Sequence, residues 1–384
     1  MKTDYLLEAL SHPSCFAPAG NYFKVLRECG GVEWKHVPIT LLRSGLNLAN
    51  TPNRLYERLR WGRTVDRVRL QEPPIFILGH WRSGTTYLHN LLAKDRHLGF
   101  VTTLQAFYPA VTLQSLWLLP LLRRLPPQKR HGDNVLVGLE DPQEEEFALA
   151  ILSPLSLYHF ITFPRSSYRL FSEAVLFEGV PDTLKAEWQR AYLRILKTAT
   201  LIAGGRRLVL KNPCNAARIP QLLELFPEAK FIHIYRNPCR VYYSTRHYFL
   251  SGLAQSQLQS VTPAELDEAV FHFYEGMMRK YWATKDLIPE GNLVEIRYEE
   301  FERDPLRSLA EIYEGLKLPG FDGAKEAFEG YIASQASYQQ NRFSADPEEL
   351  AAVTERLRFA LDRLGYDAPE GIESGPRAVA GTAG

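Results

Sequence analysis

The chain reads as an α/β fold: a mostly parallel central sheet flanked by helices, with a helical N-terminal lead-in. Three observations predict it. Short apolar runs alternate with helix-like stretches from Pro74 onward, several of those runs end in Gly or Asn-Pro turns, and residues 1–70 carry helical spacing.

In the lead-in, LNLANTPNRLYERLRWGRTVDRVRL repeats apolar residues at three and four, with arginines on the remaining face. From Pro74, PIFIL is a short strand, and GHWRSG turns into the helix-like TTYLHNLLAKD. RLVLKNP, KFIHIYRNP and NLVEIRYEEF read as further strands, while IPQLLELFP and VYYSTRHYFL read as helices between them. The expected organisation is a helical lead-in over 1–70, a single α/β domain over 71–366, and a disordered Gly/Ala/Pro-rich tail over 367–384.

Composition narrows the function. With 384 residues and 45% hydrophobic content the chain can bury a substantial core. Lys+Arg 45 against Asp+Glu 44 leaves no overall basic field to gather nucleic acid, so any anion recognition is local. Cys15, Cys29, Cys214 and Cys239 form no C-x-x-C pair and no metal-ligand spacing, which implies reduced thiols and a cytoplasmic setting. The first residues lack the basic start and continuous apolar stretch of a signal peptide.

Two apolar stretches bear on membranes. FALAILSPLSLYHFITFP (147–164) contains no charged residue, but its Ser, Pro, His and Thr positions read as buried core rather than a spanning helix, which needs roughly 20 predominantly apolar residues. LQSLWLLPLL (113–122), broken by Pro120 and followed by Arg123 and Arg124, reads as a packed helix, with a lipid surface or the lining of a greasy pocket as alternatives.

The chemistry concentrates in LGHWRSGTTYL (78–88). Gly79 and Gly84 keep the spacing of a phosphate-cradling loop and Thr86 keeps its hydroxyl, but Thr85 stands where such a loop has lysine. A strand that ends in a Gly-rich turn and opens a helix presents backbone N–H groups and the positive helix end to an anion. Without the lysine, and with neither the VLKNP nor the IHIYRNP strand ending in aspartate, the loop predicts a smaller, metal-independent phosphate. Lys211 and Arg236 each put a cation at a strand's C-terminal edge, where ligands sit in open α/β sheets. Ser244 follows Arg236 about two helical turns later. Together they predict a second phosphate position.

FILGHWRSGTTYLHNLL resembles the 5′-phosphosulfate loop of the bacterial branch of the sulfotransferase superfamily, and KFIHIYRNPCRVYYS resembles its 3′-phosphate motif. VEIRYEEFERDPLRSLAEIYEGLKLP and YQQNRF resemble its later strand, helix and C-terminal binding loop, so the likeness spans residues 75–345. The resemblance implies a P-loop-containing sulfotransferase-like fold. It also implies transfer of a sulfuryl group from 3′-phosphoadenosine 5′-phosphosulfate (PAPS) to a hydroxyl or amine acceptor, with no metal required. On that likeness, Arg82, Ser83, Gly84, Thr85 and Thr86 hold the 5′ end through side chains and the N–H groups of 83–86. Arg236 and Ser244 take the 3′-phosphate, and Lys211 and Arg82 act on the transferring group.

Eukaryotic cytosolic members of the family carry histidine two residues after the catalytic lysine, where this chain has Pro213, so the base lies elsewhere. Other branches use glutamate. The run GLEDPQEEEFALA offers Glu140, Asp141, Glu144, Glu145 and Glu146, with Glu144 or Glu146 preferred as base; a helix begun near Pro142 would put Glu144 on the face of Phe147 and Ala148. Trp81 either flanks the adenine or acceptor or simply packs, His89 and His247 are expected to be structural, and Tyr242 and Tyr243 to lie in the core. The aromatic and apolar content of 100–170 points to a hydrophobic small-molecule acceptor. Two other readings stand beside this one: a P-loop phosphotransferase, which would need magnesium, and a non-catalytic nucleotide- or partner-binding module.

Overall fold

The computed structural model describes residues 12–124, 128–129, 136–252, 256–336, 341–367 and 372–374. Its centre is a five-stranded sheet of β1 (Ile75–Leu78), β2 (Leu98–Gly99), β3 (Arg207–Lys211), β4 (Lys230–Tyr235) and β5 (Leu293–Arg297), in the order β2-β3-β1-β4-β5. Every pairing is parallel; Ile77 lies opposite Lys211 on one side and Ile232 on the other. Four of these strands are those the apolar runs predict. The two-residue edge strand β2 is too short to leave a pattern.

Burial explains why the runs read as continuous rather than alternating. Ile75, Phe76, Ile77 and Leu78 are all buried, but Phe76 and Leu78 belong to one core and Ile75 and Ile77 to another on the opposite face. The first core is completed by α8 (Asp182–Ile202) and α10 (Pro263–Thr284), through Trp188, Tyr192, Phe273 and Tyr281. The second is completed by α4 (Thr85–Leu92), α11 (Pro305–Gly315) and α12 (Phe321–Ser334), through Leu88, Leu91, Ile312 and Phe328.

Before the sheet come α1 (Ala19–Glu28), α2 (Val37–Ala49) and α3 (Thr51–Arg67), as the lead-in pattern predicts. Between β2 and β3 lie α5 (Thr103–Phe107), α6 (Thr112–Ser115) and α7 (Glu145–Leu152); α9 (Pro238–Gly252) follows β4. Residues 147–164 are core as expected, with helix α7 followed by a buried 3-10 turn, Leu157–Ile161. The segment 113–122 is not the packed helix expected: it is three short turns in which Leu113 is buried while Trp117 and Leu121 are exposed. Most of the tail from Pro369, and Tyr338–Gln340 of YQQNRF, lie outside the described residues. Within the tail, Ile372–Ser374 pairs in parallel with Phe343–Ala345 rather than being disordered. All four cysteines are buried and none forms a disulfide.

One buried ion pair fixes where the site's acidic run sits. Arg218 and Glu146 are both completely buried, with guanidinium-to-carboxylate contacts of 2.6 and 3.0 Å. Glu146 also accepts from Ser156 Oγ at 2.7 Å, Leu157 N at 3.1 Å and Asn212 Nδ2 at 2.7 Å, so α7 is clamped to the turn after β3. Burial alone would push the Glu146 carboxyl up, but Arg218 and these donors outweigh it and hold it below the usual carboxylate range. Removing one partner of such a pair strands the other charge in the core. Arg218→Ala should therefore lower unfolding free energy by about 3–5 kcal/mol in urea titrations.

Candidate active site

The loop after β1 is shaped by two glycines. At Gly79 (φ 149°) a Cβ would stand 2.5 Å from the Ile234 carbonyl oxygen, and at Gly84 (φ 94°) it would stand 2.2 Å from the Tyr298 ring. Between them Arg82 holds a left-handed backbone at φ 70°, a conformation costly for a residue with a side chain and typical of ligand-binding turns. The α4 ladder begins with Leu88 N–H donating to Gly84 O, so its first-turn amides belong to Gly84, Thr85, Thr86 and Tyr87, all of which line a cavity of about 710 Å³. Ser83 differs from expectation. It is buried, does not line the cavity, and its N–H donates to His80 O at 3.2 Å, closing the turn instead of facing a ligand.

Arg82, Arg236 and Ser244 all line that cavity, at the C-terminal edge of the sheet. Arg82 Nε donates to Ser244 Oγ at 2.9 Å, so the two expected phosphate groupings meet across the cavity rather than standing apart. The Arg236 guanidinium lies over the Tyr298 ring at 4.1 Å. A third cavity arginine, Arg240, escaped the sequence reading. It donates to the Asn341 carbonyl and lies over the Phe343 ring at 4.9 Å; its one signal was its place a helical turn after Arg236.

The other wall is aromatic. Phe107, Phe147, Tyr158 and Trp81 form an unbroken series of ring contacts with centroids 4.9, 4.7 and 6.4 Å apart, joined by Ile161 in the lining. Trp81 packs, and also donates its indole N–H to Tyr158 Oη at 3.0 Å.

Between the two walls sits Glu144. Lys211 donates to its Oε1 and Tyr158 donates to its Oε2, both in short contacts. Burial, with Glu144 beside it, raises the Tyr158 phenol well above its ordinary range, so Tyr158 is a donor here. Lys211 is buried behind Glu144 and does not itself line the cavity. Pro213, two residues after Lys211, does line it. Glu144 is not on the helix face expected of it: it is the extended N-cap residue of α7, and it reaches the cavity beside Phe147 by that route. Glu146, paired with Arg218, faces away from the cavity and is not placed to act as a base. Glu140 pairs with Arg123 at 2.7 Å, and Asp141 accepts from Gly138 N–H at 2.6 Å. His89 is buried against the Val209 carbonyl, and neither it nor His247 lines the cavity. Nothing in the sequence pointed to Tyr158, which lies beyond the Pro154 break and meets Glu144 only after folding.

A profile of the sulfotransferase family matches residues 73–323, a span that contains the loop, Glu144, Lys211, Arg236 and Ser244. This chain belongs to the sulfotransferase family. The sulfotransferase is 34% identical over 328 residues to the omega-hydroxy-beta-dihydromenaquinone-9 sulfotransferases Stf3 of Mycobacterium bovis and Mycobacterium tuberculosis, covering 85% of this chain and 84% of each relative. Its fold is that of sulfotransferase STF9 from Mycobacterium avium (TM-score 0.62, 19% identity, 92% of this chain and 98% of that one) and of STF1 from Mycobacterium tuberculosis (TM-score 0.61, 17% identity, 86% and 88%). Membership sets aside the phosphotransferase and non-catalytic readings.

In this sulfotransferase the middle carboxylate of the run is a support. Glu145 accepts from Tyr192 Oη at 2.9 Å and Asn215 Nδ2 at 2.8 Å, away from the cavity. Burial, reinforced by neighbouring Glu146, pushes its carboxyl up to about 7, against the pull of those two donors. Unfolded, it titrates near its ordinary 4.5, so between about 4.5 and about 7 the folded state holds the extra proton. The stability it contributes is full below that window and is lost as pH rises through it. Glu145→Gln should accordingly gain stability relative to wild type from pH about 4.5 to about 7 and track it below. Parallel unfolding curves across the window would argue against a protonated Glu145.

Proposed function

We propose that this sulfotransferase takes PAPS as its sulfuryl donor and an apolar molecule bearing a hydroxyl as its acceptor, with Glu144 as the base. The observation that carries the reading is the position of Glu144, held by Lys211 and Tyr158 where the cationic wall meets the aromatic one. The residues present fit the donor. The loop offers first-turn amides with no room for a side chain at Gly84, and Arg82, Arg236, Arg240 and Ser244 supply cations and a hydroxyl for its phosphates.

The donor supplies an activated sulfuryl group on a phosphate oxygen, and the chain's residues do the rest. Arg82 and the loop amides stabilise charge that grows on the departing bisphosphate. Glu144 accepts the proton of the acceptor hydroxyl as its oxygen bonds to sulfur, while the bond from sulfur to the bridging oxygen breaks. Lys211 and Tyr158 orient Glu144. With three N–H donors, the Lys211 ammonium can hold Glu144 and offer a cation to the sulfuryl oxygens. Phe107, Phe147 and Ile161 exclude water and receive the acceptor. A lipid-like acceptor is in keeping with this wall and with the dihydromenaquinone-derived substrate in the name of the Stf3 relatives.

Glu144→Gln should lower turnover by about 10²–10⁴-fold and leave binding of 3′,5′-adenosine bisphosphate intact. Arg236→Ala should do the reverse, weakening that binding by about 10–100-fold through loss of a charge-assisted contact. Equal losses of binding in both variants would remove Glu144 from the role of base. Calorimetry in EDTA should show the bisphosphate binding and ATP failing to compete; tighter binding of ATP would overturn the donor assignment.

A further inference from the structure

A patch on the lead-in helices matches neither the core nor the active-site cavity. Helix α3 packs through Glu57, Trp61 and Val65, yet its outward side exposes Leu55, Tyr56 and Leu59, the last at 74%. Alongside it, the segment after α6 exposes Trp117, at 76%, and Leu121. The two stretches are fastened together: the buried Glu57 carboxylate accepts from the N–H groups of Leu113 at 3.1 Å and Gln114 at 2.8 Å, and Gln114 Nε2 donates to Asn53 O at 3.0 Å. Monomers scatter exposed apolar residues singly; a Trp, three Leu and a Tyr on adjoining elements form a patch that binds something.

Its charge says what. Arg58, Arg60, Arg63 and Arg67 are exposed around the apolar residues of α3, with only Asp66 as an exposed acid on that helix. Arg124 adds to the charge at the far end of the second stretch, where Arg123 is paired with Glu140. The chain as a whole carries +1, so this density is local. A symmetric dimer through this face would set arginines against their own copies. An anionic surface with an apolar interior satisfies both features: arginines meet headgroups while Trp and Leu enter the acyl boundary.

The position also suits the chemistry. Phe107, in the aromatic wall of the cavity, closes α5, and the chain runs from it directly into α6 and Trp117. We infer that the α3 and 112–124 face docks this sulfotransferase on a bilayer bearing anionic lipid, presenting the aromatic side of the cavity to molecules held in that bilayer. This use of the face rests on the apolar-acceptor reading, but vesicle binding needs neither donor nor acceptor, so the two can fail separately.

The test is flotation of the purified full chain with phosphatidylcholine vesicles with and without phosphatidylglycerol, at low and high salt. The chain should float with the anionic vesicles and detach at high salt. Arg60→Gln with Arg63→Gln should weaken binding by about tenfold or more, and Leu59→Ser with Trp117→Ser comparably. Both variants should keep wild-type affinity for 3′,5′-adenosine bisphosphate, which shows that they fold. Absence of flotation by the wild type, binding unaffected by either double substitution, or a dimer in sedimentation that these substitutions dissolve would each overturn the inference.

Discussion

Three consecutive carboxylates, Glu144, Glu145 and Glu146, each bond to the strand end and turn at 211–218, and the active site depends on that seam. Glu146 takes Asn212 and Arg218, Glu145 takes Asn215, and Glu144 takes Lys211. The outer two contacts are ion pairs between groups at most a tenth exposed, one of them wholly buried. Such contacts add little net stability against an apolar alternative, because desolvation offsets most of the attraction. Their value lies in position: the three contacts together fix the register of α7 against the end of β3. The buried pair pins the helix start, and the residue just before it is thereby held at the cavity edge.

The opposite side of the cavity obeys a different constraint, close approach of backbone to neighbouring atoms. Gly79 and Gly84 leave no room for a Cβ, and Arg82 between them is left-handed. The turn therefore aims Arg82 toward Ser244 on α9 instead of along the strand. Cations from three separate elements gather over one sheet edge while the whole chain stays near neutral, so the anion site is a local field set in an ordinary surface. The aromatic wall reaches Phe107, from which the chain runs on to the segment that Glu57 holds against α3.

Much of this was legible beforehand. Apolar runs marked four of the five strands because residues buried on both sheet faces leave continuous signatures, and the loop glycines marked the turn because only glycine tolerates the contacts made there. Arg82, Arg236 and Ser244 were legible because each stands at a fixed offset from a strand end. The edge strand at Leu98 was not, since two residues carry no period. Trp117 and Leu121 looked like core by composition; burial is a property of the neighbours, and among the described residues these two are left exposed.

By itself the sequence determined the parallel α/β architecture, the phosphate-cradling turn without its lysine, and the likeness to sulfotransferases, all of which rest on residue type at short, regular separations. Tertiary structure decided which of three adjacent glutamates meets the cavity, that Tyr158 joins it, that Ser83 turns inward, and that Arg240 belongs to the cationic wall. The physical reason is that hydrogen bonds and ion pairs form between groups brought together from far apart in the chain, as Glu144 and Lys211 are, and their pairing depends on packing that no local spacing encodes.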